Sequence, residues 1–339
     1  MRNHLEALCK LSGVSGDEGR VRDYILAQAK AHETRVDALG NVFVSVAGRR
    51  RMNTRVLLAA HMDEVGFIVT AVTKDGFLKF AAVGGIDPRV LLGKRVLVGQ
   101  DARPGIIGVK PVHLSSAEER RRAPKVEALF IDIGAQSEAE ALVLVALGDF
   151  VSFARDWAEI GAGIASPALD DRIGCAVLLS LLEQTLPFDV TLAFTVQEEL
   201  GLRGAMTAAH SQAPDIALIL EGTTAADLAG VPAHRKVCTL GAGVVIPFMD
   251  GGTRYDPGLY QSVTALATAQ NIPWQVKNVI AGGTDAAALQ QRASGARVLT
   301  LAAPVRNIHS GQNFAYTSDL EHLQALTLAV LDEFEGRLV

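Results

Sequence analysis

The sequence is poor in cysteine and has no long apolar run and no basic stripe. Its three cysteines, Cys9, Cys175 and Cys238, lie far apart and are odd in number. No CxxC and no Cys/His zinc spacing occurs, which excludes a cysteine-built metal or redox motif. Cys175 sits in an apolar helical run and reads as a buried thiol. The apolar runs are broken by charges well before the roughly 18–20 residues that a membrane span needs. The first residues, Met1-Arg2-Asn3-His4-Leu5-Glu6, contain no signal-peptide core. The expectation is a soluble, cytoplasmic protein with no membrane partner. The net charge is -5, and the 23 Arg and 9 Lys are spread along the chain, which argues against a nucleic-acid partner. The densest basic runs, Arg49-Arg50-Arg51 and Arg120-Arg121-Arg122, read as solvated loops.

Hydrophobic residues make up 49% of the 339, enough for a packed core and too many for wholesale disorder. At roughly 100–200 residues per domain, the length fits two domains or one large domain with an insertion. Helical spacing of Leu5, Leu8 and Leu11 opens the chain, and a second helix is expected over 18–32. Val56-Leu57-Leu58-Ala59-Ala60 is continuously apolar, the mark of a strand covered on both faces. From about 67 to 164 the texture changes to short apolar stretches punctuated by Gly and Pro, which predicts a small β-barrel or sandwich with one helix near 137–147. After Pro167 strand and helix alternate. Helices are expected over 171–184, 201–211, 259–270, 285–292 and 318–335, and strands over 190–196, 216–220, 275–279 and 297–301. The fold class is therefore α/β with a mainly parallel sheet, residues 1–66 and 165–339 forming one domain and 67–164 a β-rich insertion.

Open α/β sheets bind ligands beyond the C-terminal ends of their strands. After Val56–Ala60 comes His61-Met62-Asp63-Glu64, and after Val190–Val196 comes Gln197-Glu198-Glu199. Glu221 follows Ile216–Leu220, and the loop after Arg297–Leu301 reaches His309. Asp170-Asp171 stands ahead of a helix. Each piece alone has a plainer reading: His61 as a structural histidine, one of the two aspartates as a helix cap, Glu198-Glu199 as a solvated turn. Together, five segments place imidazole and carboxylate at comparable topological positions. Such a set suits two divalent ions of the zinc type.

His61-Met62-Asp63-Glu64-Val65-Gly66, Leu169-Asp170-Asp171-Arg172-Ile173-Gly174-Cys175, Val196-Gln197-Glu198-Glu199-Leu200-Gly201, Gly282-Gly283-Thr284-Asp285-Ala286 and Arg306-Asn307-Ile308-His309-Ser310 resemble one family in content and order. It is the di-metal aminopeptidase family that includes glutamyl aminopeptidases and the tetrahedral aminopeptidases, some once labelled endoglucanase. The resemblance implies removal of N-terminal residues from short peptides by a water activated between two metal ions, Zn²⁺ or Co²⁺, with Mn²⁺ as a further option. It assigns His61 and Glu221 to one ion, Glu199 and His309 to the other, and Asp170 to the bridge. Glu198 matches the general base, and Asp63 the carboxylate that orients His61. Thr284 and Asp285 match a loop lining the substrate site. Glu221 stands where the family more often has Asp, and Asn307 where it commonly has Tyr. The resemblance further implies that the insertion builds dimers and that dimers assemble into a tetrahedral dodecamer. Two other readings stand beside it. A glycosidase would use paired carboxylates such as Glu198 or Asp170 but leave both histidines without roles. A non-catalytic assembly protein would retain only the fold.

Overall fold

The computed structural model describes residues 1–291 and 293–337, with side chains through Phe334 except Arg292. The helix end expected at Arg292, the Glu335 side chain, and Leu338 and Val339 at the close of the expected α/β span lie outside the described residues.

An eight-stranded sheet forms the centre, in the order Glu33–Val36, Val42–Val46, Val190–Thr195, Val56–His61, Ile216–Thr224, Arg297–Val305, Val244–Ile246, Trp274–Val276. The four middle strands, Val190–Thr195 through Arg297–Val305, pair in parallel, and antiparallel pairing is confined to the flanks. Val56–His61 is buried along its whole length, as its unbroken apolar run requires. Helix Leu169–Leu181 packs across it and is itself buried throughout. Gly174 permits that closeness: a Cβ there would fall 2.9 Å from Ala60 Cβ and 2.5 Å from the Asp171 carboxylate. Among the described residues no helix is long and apolar enough to cross a membrane.

Between the strand Val56–His61 and the helix Leu169–Leu181 the chain leaves the sheet and closes an antiparallel barrel. Its strands run Gly66–Val72, Leu78–Val83, Phe130–Asp132, Arg103–Gly108, Arg95–Val98 and Phe150–Phe153 around the ring. The barrel has its own core, with Phe67 meeting Phe80 and Phe153 edge to face at centroid distances of 5.0 and 5.4 Å. Helix Glu138–Leu144 starts where Ser137 Oγ accepts from Glu140 N. Strand Gly163–Ser166 pairs with Asn313–Tyr316 and with Ala158–Ile160, so the return from the barrel is sewn to the C-terminal part of the chain. A buried node fastens barrel to sheet: Glu64 accepts from Arg155 at 2.6 and 2.8 Å, from Gly13 N at 2.9 Å, and faces Arg172 at 3.4 Å. The runs at Arg49–Arg51 and Arg120–Arg122 lie on the outside, with only Arg50 half-covered. Cys175 is a buried free thiol whose Sγ faces the His61 carbonyl at 3.2 Å.

Candidate active site

Three neighbouring parallel strands deliver their ends to one cavity of about 480 Å³. Val56–His61 ends on His61, Val190–Thr195 runs out just before Glu198 and Glu199, and Ile216–Thr224 carries Glu221 within its length. The last strand is longer than its apolar run: pairing with Arg297–Val305 continues to Thr224, with Glu221 opposite Ala302. Asp170 enters from the start of the helix Leu169–Leu181, where it and Asp171 have non-helical backbone angles and are joined by a cis peptide bond. His309 comes from the loop after Arg297–Val305 and has a left-handed backbone, φ 56°. Asn307 and Gln197 share that conformation at 58° and 53°. Asn tolerates it better than the Tyr common at that place in the resembled family, so the departure suits this loop.

Asp170 stands between the two histidines. Its Oδ1 is 3.4 Å from His61 Nε2 and its Oδ2 is 3.7 Å from His309 Nε2. Glu221 Oε2 is 3.5 Å from His61 Nε2, and Glu199 Oε1 is 3.1 Å from His309 Nε2. Two sets result, His61–Asp170–Glu221 and Asp170–Glu199–His309, each with donor atoms within 4.8 Å of one another and Asp170 in both. Buried polar atoms without a hydrogen-bond partner are costly. His61, Asp170 and Glu221 are all buried, and Asp170 Oδ1 and Glu221 Oε2 have no hydrogen-bond partner. Imidazole and carboxylate donors left this way fit a borderline-hard divalent cation, and each set could hold one.

The charge balance points the same way. Burial pulls the His61 imidazole down, yet Glu221, Asp170 and Asp63 together hold it well above its ordinary value. Burial also opposes protonation of His309, which Glu199 and Asp170 nevertheless hold up at about 9. Burial pushes the Glu221 and Glu198 carboxyls well above the usual range, with neighbouring carboxylates adding to it and His61 opposing. A cation would remove that mutual repulsion.

Asp63 is fully buried, with Oδ1 3.4 Å from His61 Nδ1. The family resemblance implies that one contact. It also accepts from Glu198 N at 3.0 Å, from Glu199 N at 3.1 Å and from Ser15 Oγ, so one carboxylate positions both the imidazole and the glutamate turn. Asp171 resolves the choice left open between the two aspartates: it accepts from Gly174 N three residues on, as a cap does, and from His61 N. Thr284 lines the cavity. Asp285, expected in that lining, is instead buried outside it and accepts from Thr195 Oγ1. Ser15, Thr195 and Lys277, which also lines the cavity, escaped sequence reasoning because a single residue outside a motif gives no signal.

A mainly parallel sheet brings to one cavity two histidine–carboxylate sets that could each hold a metal ion, the arrangement of a hydrolase with its site at the strand ends. The chain belongs to the M42 glutamyl aminopeptidase family, whose model matches residues 40–326. It is 31% identical to the lysyl aminopeptidase of Pyrococcus furiosus over 343 residues, covering 98% of this chain and 96% of that one. Among solved structures, the aminopeptidase APDkam598 of Desulfurococcus kamchatkensis superposes with a TM-score of 0.92 at 35% identity, covering 97% of this chain and 93% of that one. The TET1 peptidase of Pyrococcus horikoshii, described as assembling into a tetrahedron or a large octahedral shell, gives 0.85 at 34% identity, covering 97% and 98%. The chain is thus an aminopeptidase, a hydrolase of peptide bonds.

Proposed function

We propose that this aminopeptidase takes residues from the N-terminus of short peptides, using two divalent cations, Zn²⁺ or Co²⁺ and with Mn²⁺ as a further option. The observation that carries the two-ion reading is Asp170, whose two oxygens face the two histidines from between them. His61, Asp170 and Glu221 would hold one cation, and Asp170, Glu199 and His309 the other. Glu221 is a methylene longer than the aspartate common in the family, and its Oε2 still reaches 3.5 Å from His61 Nε2. When bound, such a pair of ions acidifies a water and polarises the scissile carbonyl. Glu198 supplies the proton transfer: a carboxylate oxygen takes a proton from the water and returns it to the leaving amine. Among the described residues no hydrogen bond to another side chain ties the Glu198 carboxylate down, whereas Glu199 faces His309. Asp63 fixes the His61 ring and the glutamate turn together. Thr284 contacts substrate from the lining, and Asp285 ties that loop to Thr195 at the end of its strand.

The insertion expected over 67–164 serves self-association in this reading. The barrel region exposes Ile106, Val112, Leu114, Leu142, Val143 and Leu147, with Val143 84% exposed. Apolar surface of that kind marks interaction sites. Dimers built on it would assemble to a tetrahedral dodecamer in the cytoplasm. A glycosidase would need only two carboxylates, and here both histidines are bound into the cluster.

Glu198→Gln tests the chemistry. It should lower kcat by about 10²–10⁴-fold, the usual worth of a general base, while metal content stays at the wild-type level. His309→Ala should lower metal content instead. Retained turnover in the first variant, or retained occupancy in the second, contradicts these roles.

A further inference from the structure

The family is named for glutamyl and one relative for lysyl, opposite side-chain preferences, so family membership leaves the first residue of the substrate open. The cavity itself carries a discriminating group. Lys277 follows the edge strand Trp274–Val276, is only 9% exposed, and lines the cavity. It is the only Lys or Arg among the lining residues described. Its Nζ donates to the Ala281 carbonyl at 2.8 Å, and among the described residues no carboxylate comes within ion-pair distance. The four carboxylates of the lining, Asp170, Glu198, Glu199 and Glu221, all belong to the catalytic cluster. A buried ammonium that has one carbonyl and no counter-charge is costly. Such a cost is offset when an anionic ligand arrives.

The sheet sets the scale. Trp274–Val276 lies three strand intervals from Ile216–Thr224, which carries Glu221. Gln275 is level with Glu221 through Val245 and Ala302, and Lys277 lies two residues further along. At about 4.8 Å per interval and about 3.3 Å per residue, the bases of Lys277 and Glu221 are roughly 16 Å apart. The cluster and the ammonium therefore bracket a space the size of a residue, with Val237, Ala281 and Ile308 as apolar wall and Thr223 and Thr224 as polar wall. With the scissile bond at the cluster, the group facing Lys277 is the side chain of the first residue. We propose that Lys277 selects peptides whose N-terminal residue carries a carboxylate, Glu or Asp, by donating a charge-assisted hydrogen bond to it. This rests on the aminopeptidase reading and deepens it.

The test is kcat/KM of the metal-loaded protein on the p-nitroanilides of Glu, Gln, Leu and Lys, which have no C-terminal carboxylate. Glu and Gln differ little in shape, so their ratio isolates the charge. It also cancels any loss of folded enzyme, including loss from breaking the Ala281 tether. The wild-type ratio should be at least about tenfold in favour of Glu, consistent with a charged hydrogen bond. Lys277→Met should bring it to about one, and Lys277→Arg should keep most of it. A wild-type ratio near one, or a ratio that survives Lys277→Met, overturns the proposal. A second arm compares Ala-Gly with its C-terminal amide. If Lys277→Met abolishes a preference for the free acid there while Glu and Gln are cleaved alike, the carboxylate recognised is the peptide terminus and the side-chain assignment fails. Cleavage of Leu with no Glu preference sinks this proposal alone. Cleavage of none of the substrates sinks the aminopeptidase reading.

Discussion

Asp63 shows how much a single buried carboxylate can organise. It meets His61, receives the Glu198 and Glu199 amides and takes the Ser15 hydroxyl, so the imidazole and the glutamate turn keep one geometry. Glu18 supports the same turn from behind. Its Oε1 accepts from Gly16 N at 2.8 Å and Gln197 N at 3.1 Å, and burial raises its carboxyl to about 7. An acid whose folded value is raised binds its proton more tightly when folded. Its stabilising effect is then full below the unfolded value, about 4.3, and is lost as pH rises through 7. Glu18→Gln keeps the accepting oxygen and removes the titration. Relative to wild type it should gain on the order of 2 kcal/mol between pH 5 and pH 8, read from urea melts at fixed metal content. A difference independent of pH would show that Glu18 does not titrate in that window. At this scale the sequence was legible where residues cluster in motifs. His61, Asp170, Glu198, Glu199, Glu221 and His309 all reach one cavity or its rim. Lys277 and Ser15 were not legible, because an isolated Lys or Ser acquires meaning only from what the fold sets beside it.

Elements position these residues through close contact between the helix Leu169–Leu181 and the strand Val56–His61. Gly174→Ala would push a methyl to 2.5 Å from the Asp171 carboxylate and 2.9 Å from Ala60 Cβ. That carboxylate receives His61 N and Gly174 N, so relief by moving it disturbs the strand end that carries His61. The variant should lose about 1–3 kcal/mol in denaturant melts and bind metal less tightly. Unchanged stability would mean that the helix can shift freely. The buried parallel strands were readable because apolar runs such as Val56–Ala60 need cover on both faces. Edge elements were not. Glu33–Val36 is exposed along its length, and its Glu-Thr-Arg-Val shows no apolar alternation. Gly163–Ser166 and Asn313–Tyr316 find each other across about half the chain, which no local pattern announces. The strand over 216–224 outran its expected end at Leu220 because its ladder with Arg297–Val305 continues through Gly222.

For the whole molecule, sheet and barrel are joined by the buried Glu64–Arg155–Arg172 node. If the exposed apolar residues of the barrel build the assembly, sizing with light scattering should give a multiple of the chain mass, up to twelve copies. Val143→Asp should shift the population to smaller species. A wild-type monomer would contradict the assembly without touching the chemistry. With metal held at the cluster, the protein should cleave only the bond after a free N-terminal residue, a selectivity that can be read directly. Its most direct measurement is mass spectrometry of one short peptide and its N-acetylated twin, each incubated with Zn²⁺- or Co²⁺-loaded protein. Stepwise loss from the free N-terminus, no change in the acetylated peptide, and no loss after chelation are the expected results. Internal cleavage, hydrolysis of the acetylated twin, or activity that survives metal removal would contradict them.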